Sequence, residues 1–154
     1  MRLPERNLPE RNSMNDKYFL DTNIFIYSFD HSDSTKRDKA QHLISDALSQ
    51  SKGIISYQVV QEFLNVALKK FIKPLNIRDC EKYLTVVLEP LCQVYSSIDL
   101  YHKALEISER WQFSFYDSLI ISAALQSQCP ILYTEDLRHG QKIFDLEIIN
   151  PFIT

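Results

Sequence analysis

Glycine is nearly missing from this chain: its 154 residues include two, Gly53 and Gly140. A phosphate-binding loop of the P-loop kind needs two glycines at fixed spacing, and a dinucleotide fingerprint needs three. Both are excluded, so any phosphate chemistry must work through a metal ion or side chains. Cysteine is scarce as well. Cys80, Cys92 and Cys129 form an odd set with wide, irregular spacing, which suits neither a disulfide framework nor a zinc knuckle. There is no apolar run of about 18 residues, so no segment is expected to cross a membrane. The beginning of the chain lacks the apolar core of a secretory signal. The setting expected from these absences is reducing and cytoplasmic. Nor is basic charge in excess. Seventeen Lys and Arg stand against 20 Asp and Glu, for a net charge of −3. That balance argues against a protein that holds nucleic acid mainly through a broad basic surface.

What is present is a chain able to bury a core, with 45% hydrophobic and 12% aromatic residues. Its length suits one domain. Leu-Pro-Glu-Arg-Asn occurs twice in tandem, at Leu3–Asn7 and Leu8–Asn12. Residues 1–15 therefore read as a disordered tail or a start-site artefact, with Met14 as an alternative start, and residues 16–154 as the single domain. Short apolar runs at Lys17–Asp21, Gly53–Ser56, Cys92–Tyr95 and Pro130–Thr134 read as buried strands, with Glu147–Ile149 as a fifth at the edge. Between them, helical spacing predicts helices over Asn23–Phe29, Ser34–Gln50, Gln58–Phe71, Asn76–Leu88, Asp99–Trp111 and Ser114–Gln126. Asn76 and Asp99 read as N-caps. The last of these helices is apolar nearly all round and is expected to be central. Strands alternating with helices give an α/β fold with a mainly parallel sheet of about five strands.

In such a sheet, function gathers where strands end and helices begin. Four acids occupy these places: Asp21, Glu62, Asp117 and Asp136. Each has a local explanation. Asp21 caps the next helix. Glu62 lies on the flank of an apolar stripe, where glutamates are usually solvated. Asp117 completes capping-box spacing with Ser114 and suits the helix dipole. Asp136 sits in a loop beside a competitor, Glu135. Taken together, the local explanations persuade less. A parallel sheet brings all four to one edge, where like charges raise one another's pKa values unless neutralised. A hard divalent cation, Mg²⁺ or Mn²⁺, prefers oxygen ligands and is the simplest neutraliser. Carboxylates holding such ions can activate water for in-line attack on a phosphodiester.

With these residues in view, the sequence resembles the PIN-domain nucleases, especially the VapC-type toxins of toxin–antitoxin pairs. The resemblance runs from Lys17 to about Phe152. It rests on Phe19-Leu20-Asp21-Thr22-Asn23, on Glu62 within Val59-Val60-Gln61-Glu62-Phe63, on Tyr116-Asp117-Ser118-Leu119-Ile120, and on Thr134-Glu135-Asp136. It implies a three-layer α/β/α fold and Mg²⁺- or Mn²⁺-dependent endonuclease activity on RNA. It places catalytic, metal-ligand roles on Asp21, Glu62, Asp117 and Asp136, with Thr134 and Asn23 in support. It also implies a cognate antitoxin and a homodimer.

The four histidines are scattered without metal-ligand spacing. Arg138, two residues beyond Asp136, is the candidate phosphate contact. Lys69, Lys70 and Lys73 form one basic group and Lys36, Arg37 and Lys39 another, the latter read as a solvated helix face. Tyr27, Tyr57 and Tyr116 are candidates either for base stacking or for packing. Two rival readings stay open. One is a receiver-like phospho-acceptor domain with Asp21 as acceptor and Thr134 as switch residue. The other is a PIN scaffold that binds RNA or protein without cutting.

Overall fold

The computed structural model describes residues 16–153. The expected tail and its pentapeptide repeat lie outside the described residues. β1 (Tyr18–Leu20) leads into α1 (Thr22–Tyr27) and α2 (Ser34–Ser49). β2 (Gly53–Ser56) leads into α3 (Tyr57–Lys69) and α4 (Ile77–Tyr83), which runs on through a π-helical stretch (Leu84–Leu88) and a last turn (Glu89–Leu91). β3 (Cys92–Val94) is followed by α5 (Ile98–Trp111) and α6 (Phe115–Gln126). β4 (Ile131–Tyr133), β5 (Lys142–Ile143) and β6 (Leu146–Ile149) complete the order.

Polar caps start most of these helices. Asp33 accepts from the Lys36 N–H, Asn76 from Asp79, Ser97 from Leu100 and Ser114 from Asp117. Ser97, and not the expected Asp99, is the cap of α5. Asp99 instead lies in the first turn, where the helix dipole still favours an acid. α4 extends beyond Leu88 because the π-helical stretch carries the chain on to Pro90, which has no N–H to donate and sits in the last turn.

The six strands form one sheet in the order β3-β2-β1-β4-β6-β5. Every pairing is parallel except β5 against β6. All four residues of β2 are buried although successive side chains face opposite sides, so both faces of the sheet are covered. The expected edge strand is interior: Leu146–Ile149 pairs with β4 on one side and β5 on the other. The edge on that side, Lys142–Ile143, has only two residues and is too short to leave a periodic trace in the sequence. α6 is the buried central helix its composition predicts, with Ser118 to Ala124 all buried.

The shortage of glycine shows in the turns. Ser51, Gln112, Gln128 and Phe144 all adopt φ between 53° and 62°, the left-handed region usually given to glycine. Gly53 serves a different purpose. A Cβ there would meet the Ala47 Cβ at 2.3 Å, so its missing side chain lets α2 close onto β2.

The topology also locates function. Strand order reverses between β1 and β4, and such a switch point opens a crevice at the strands' carboxyl ends. Leu20 and Tyr133 are partners in register, so Asp21 and Thr134 leave the sheet side by side. This order is not the flavodoxin-like one of receiver domains, which removes the fold argument for the phospho-acceptor reading.

Gly53→Ala is expected to destabilise the protein by about 1–3 kcal/mol through overpacking. Denaturant unfolding should show a lower midpoint with an unchanged slope. An unchanged midpoint would mean that α2 and β2 can part at no cost.

Candidate functional site

The crevice is built around one hydroxyl. Thr134, wholly buried at the end of β4, donates to Asp21 Oδ2 at 2.8 Å. Its oxygen accepts from Asn23 Nδ2 at 3.1 Å and from the Asp136 backbone N–H at 3.1 Å. One donor and two acceptor positions are all a threonine hydroxyl has, and each is used. Asn23 reinforces the junction. Its amide also donates to Asp136 Oδ2 at 3.1 Å, while its carbonyl oxygen accepts from the Glu135 N–H at 3.4 Å.

Asp21 follows β1 and is buried, with Oδ1 accepting from the Thr22 N–H at 2.7 Å. Its local role as a helix cap and its place at the junction are therefore both real. Thr22 turns the other way and donates to Glu62 Oε1 at 2.8 Å, tying α3 to the same edge. The Asp-Thr-Asn step thus divides its work: Asp21 to Thr134, Thr22 to Glu62 and Asn23 to Asp136. The linking role of Thr22 was absent from the sequence reading, though its place between two assigned residues was a clue.

Hydrogen bonds join Asp21 to Asp136 through Thr134 and Asn23, and Thr22 ties Glu62 to the same edge; among the described residues, none joins Asp117 to this network. Asp117 opens α6, half-buried, and its recorded bond is the backbone cap from Ser114. Gln58 links the two neighbouring helix starts, its Nε2 donating to the Tyr116 carbonyl at 3.2 Å. Among the described residues, no three acids, histidines or cysteines lie close enough to enclose a metal ion unaided. Arg138 is exposed, and its backbone carbonyl accepts from Gln141.

One basic reading needs correction, and of the two alternatives for Tyr27 the structure shows packing. Lys36 is not a solvated helix residue. It pairs with Glu135, its ammonium lies 4.3 Å from the centre of the Tyr27 ring, and it also approaches Phe152. Tyr27 does not offer a free stacking face, because its hydroxyl donates to Glu135 and its ring packs on Phe152. Burial pushes the Glu135 carboxyl up, but the bonds from Lys36 and Tyr27 outweigh it and hold Glu135 below its usual range. Glu135, the competitor of Asp136, is thus fully engaged elsewhere.

The electrostatics of Asp21 run the other way. Burial, with smaller contributions from the Asp136 and Glu62 charges, pushes its carboxyl up to about 7, against the lowering effect of its bonds from Thr134 and Thr22. Among the described residues, no Lys or Arg forms an ion pair with Asp21, Glu62, Asp117 or Asp136. The donor set is all oxygen and rich in carboxylate, which fits a hard divalent cation. Mg²⁺ commonly binds through one or two carboxylates and keeps several waters, so the Asp21–Asp136 pair meets that requirement without a closed cage.

A family model described as PIN domain matches residues 18–144. No curated protein matches the sequence. Among solved structures, the chain is similar to one described as a toxin-antitoxin complex from Klebsiella pneumoniae, with 18% identity, a TM-score of 0.63, and coverage of 88% of this chain and 98% of that one. It is similar to VapBC2 from Rickettsia felis bound to a promoter DNA fragment, with 20% identity, a TM-score of 0.56, and coverage of 85% and 96%. It is also similar to Mycobacterium tuberculosis VapC20, described as a sarcin-ricin loop cleaving toxin, with 17% identity, a TM-score of 0.55, and coverage of 75% and 87%. At these identities the likeness is one of fold.

The Asp21 shift carries a pH signature for the metal-free protein. Between the ordinary value of 3.8 and about 7, the unfolded chain has lost a proton that the folded one keeps. Stability therefore falls as pH rises through that window and levels off above it. Thermal melts of wild type and Asp21→Asn in chelator should diverge as pH rises, the variant gaining on wild type up to about pH 7. A constant difference would contradict the shift. Thr134→Val removes all three hydroxyl bonds while keeping the shape, and should cost about 1–3 kcal/mol. Thr134→Ser should recover most of the loss.

Proposed function

The chain belongs to the PIN domain family, and from that premise we propose that it is a divalent-metal-dependent endoribonuclease, the toxin of a toxin–antitoxin pair. The observation that carries this reading is the Thr134 junction. It holds Asp21 and Asp136 together at the sheet's switch point, and among the described residues no Lys or Arg pairs with either.

Asp21 and Asp136 would hold Mg²⁺ or Mn²⁺, with Asp117 joining from α6 and Glu62 helping from α3. When bound, the ion supplies Lewis acidity for hydrolysis of an RNA phosphodiester. The protein's part is positioning. Thr134 and Asn23 fix the angle between the two aspartates, and Thr22 steers Glu62 toward the same edge. The Lys36–Glu135–Tyr27 unit anchors the residue before Asp136 and keeps its charge out of the site. Arg138 would meet substrate phosphate from the rim. The family and the toxin-antitoxin neighbours support a cognate antitoxin as partner, and a homodimer and a cytoplasmic setting complete the proposal. The three cysteines are free, as a reducing compartment requires.

Incubation of purified protein with a mixed RNA pool and Mg²⁺ or Mn²⁺ should yield discrete fragments. Asp21→Asn should lower cleavage by more than about a hundredfold, and Thr134→Val by about 10- to 100-fold through loss of positioning. Mn²⁺ should also raise the melting temperature of wild type but not of Asp21→Asn. Equal cleavage by wild type and Asp21→Asn would refute the site. No cleavage despite cation-dependent stabilisation would favour the non-cutting scaffold.

A further inference from the structure

Beside the acidic site lies a cleft of about 340 Å³ whose lining carries no charge. It is walled by the starts of α3 and α6 and by the segment after β3. Tyr57, Tyr95, Phe115 and Tyr116 line it and remain 39–65% exposed, a high exposure for four aromatic side chains in one place. Tyr57 and Tyr95 pack edge to face with ring centres 4.6 Å apart, and Phe115 and Tyr116 do the same at 5.6 Å. Such pairs stand as ready walls and lose little freedom when a planar group joins them.

The floor is polar and unpartnered. Ser56, 3% exposed, lines the cleft, and among the described residues its hydroxyl has no hydrogen-bond partner; neither does the buried Gln58 Oε1. Buried polar atoms left unpaired are costly, and when they line a cleft they point to a ligand that pairs with them. The occupant must therefore be planar enough to stack on tyrosine, uncharged, and furnished with donors and acceptors along its edge. A nucleobase has all three properties. A phosphate has none of the first two, and the carboxylates next door would repel it.

Position adds the rest. Gln61 in the cleft immediately precedes Glu62, and Tyr116 immediately precedes Asp117. A strand of RNA with its phosphate at the acids would place a neighbouring base over this cleft. We propose that the cleft is a nucleobase subsite: it stacks an unpaired base of single-stranded RNA on Tyr116 and Tyr57, with Ser56 and Gln58 reading its edge. This rests on the endoribonuclease reading and names how that site selects its substrate, namely by an unstacked base beside the scissile bond.

The test measures binding apart from cleavage. The full chain, in chelator, is titrated into a fluorescein-labelled single-stranded RNA and into an abasic ribose-phosphate strand of the same length, followed by anisotropy. Wild type should bind the RNA more tightly than the abasic strand. Tyr116→Ala should weaken RNA binding about tenfold and leave the abasic strand unchanged, with Tyr116→Phe behaving as wild type. Tyr57→Ala provides a second variant at an independent wall, and circular dichroism checks that both remain folded. Equal effects on the two strands, or no effect from either variant, would overturn the proposal. So would sedimentation showing that Tyr116→Ala dissociates a dimer, since the cleft would then be a face between copies. Failure of the nuclease reading looks different: no cleavage by wild type in Mg²⁺ or Mn²⁺, whatever the anisotropy reports.

Discussion

The Thr134 hydroxyl is the point on which the carboxyl edge of this sheet depends. Parallel pairing brings the ends of β1 and β4 side by side, but pairing alone would leave two loops free to diverge. The hydroxyl gives its proton to Asp21 after β1 and takes protons from Asn23 in α1 and from the Asp136 N–H in the loop after β4. A buried group that uses all its capacity tolerates little movement, because any shift orphans at least one partner. Two acids are thereby kept closer than their charges favour. The loss falls on Asp21, whose carboxyl is pushed up by burial and by its neighbours.

Glu135 and Asp136 show how the same loop serves opposite ends. They adjoin in sequence and differ by one methylene, yet Glu135 is bound by Lys36 and Tyr27 while Asp136 is held by Asn23 and faces the buried aspartate. A neutralised acid can anchor a loop; an acid with no cationic partner among the described residues can serve chemistry. The bend after β4 sends the two side chains to different partners, so the chain obtains both from a single pair.

Much of this was legible in the sequence because strand ends and helix starts are marked by residue type. An acid abutting Phe19-Leu20 and a threonine closing Ile131-Leu132-Tyr133 could be placed at one edge from topology alone. Features that depend on a distant partner were not legible. Lys36 on a charged helix face looks the same whether it meets water or Glu135, and Tyr27 gives no sign of the carboxylate 108 residues away in the chain. The short strand at Lys142–Ile143 escaped because two residues carry no period. Ser97 outranked Asp99 as cap because the choice rests on backbone angle at a loop residue, which composition does not encode. The hydroxyl of Ser56, unpaired among the described residues, depends on how α3 and α6 lean on the sheet.

The thrift in glycine reaches the unfolded chain as well. A side chain at a left-handed position strains the folded turn by about 1–2 kcal/mol. The same side chain narrows the range of shapes available before folding, which returns about 0.4–1 kcal/mol. The return offsets roughly half of the strain, so each such turn loses slack at a small net cost in stability. Gln112 is where that matters most. With its φ of 62°, and with the Ser108 hydroxyl donating to the Phe113 carbonyl at 2.8 Å, the link from α5 to α6 is stiff. Four residues after Gln112 comes Tyr116, then Asp117. The protein thus sets the starting direction of its central helix with a turn that has few ways to bend, at a cost partly recovered from the unfolded chain.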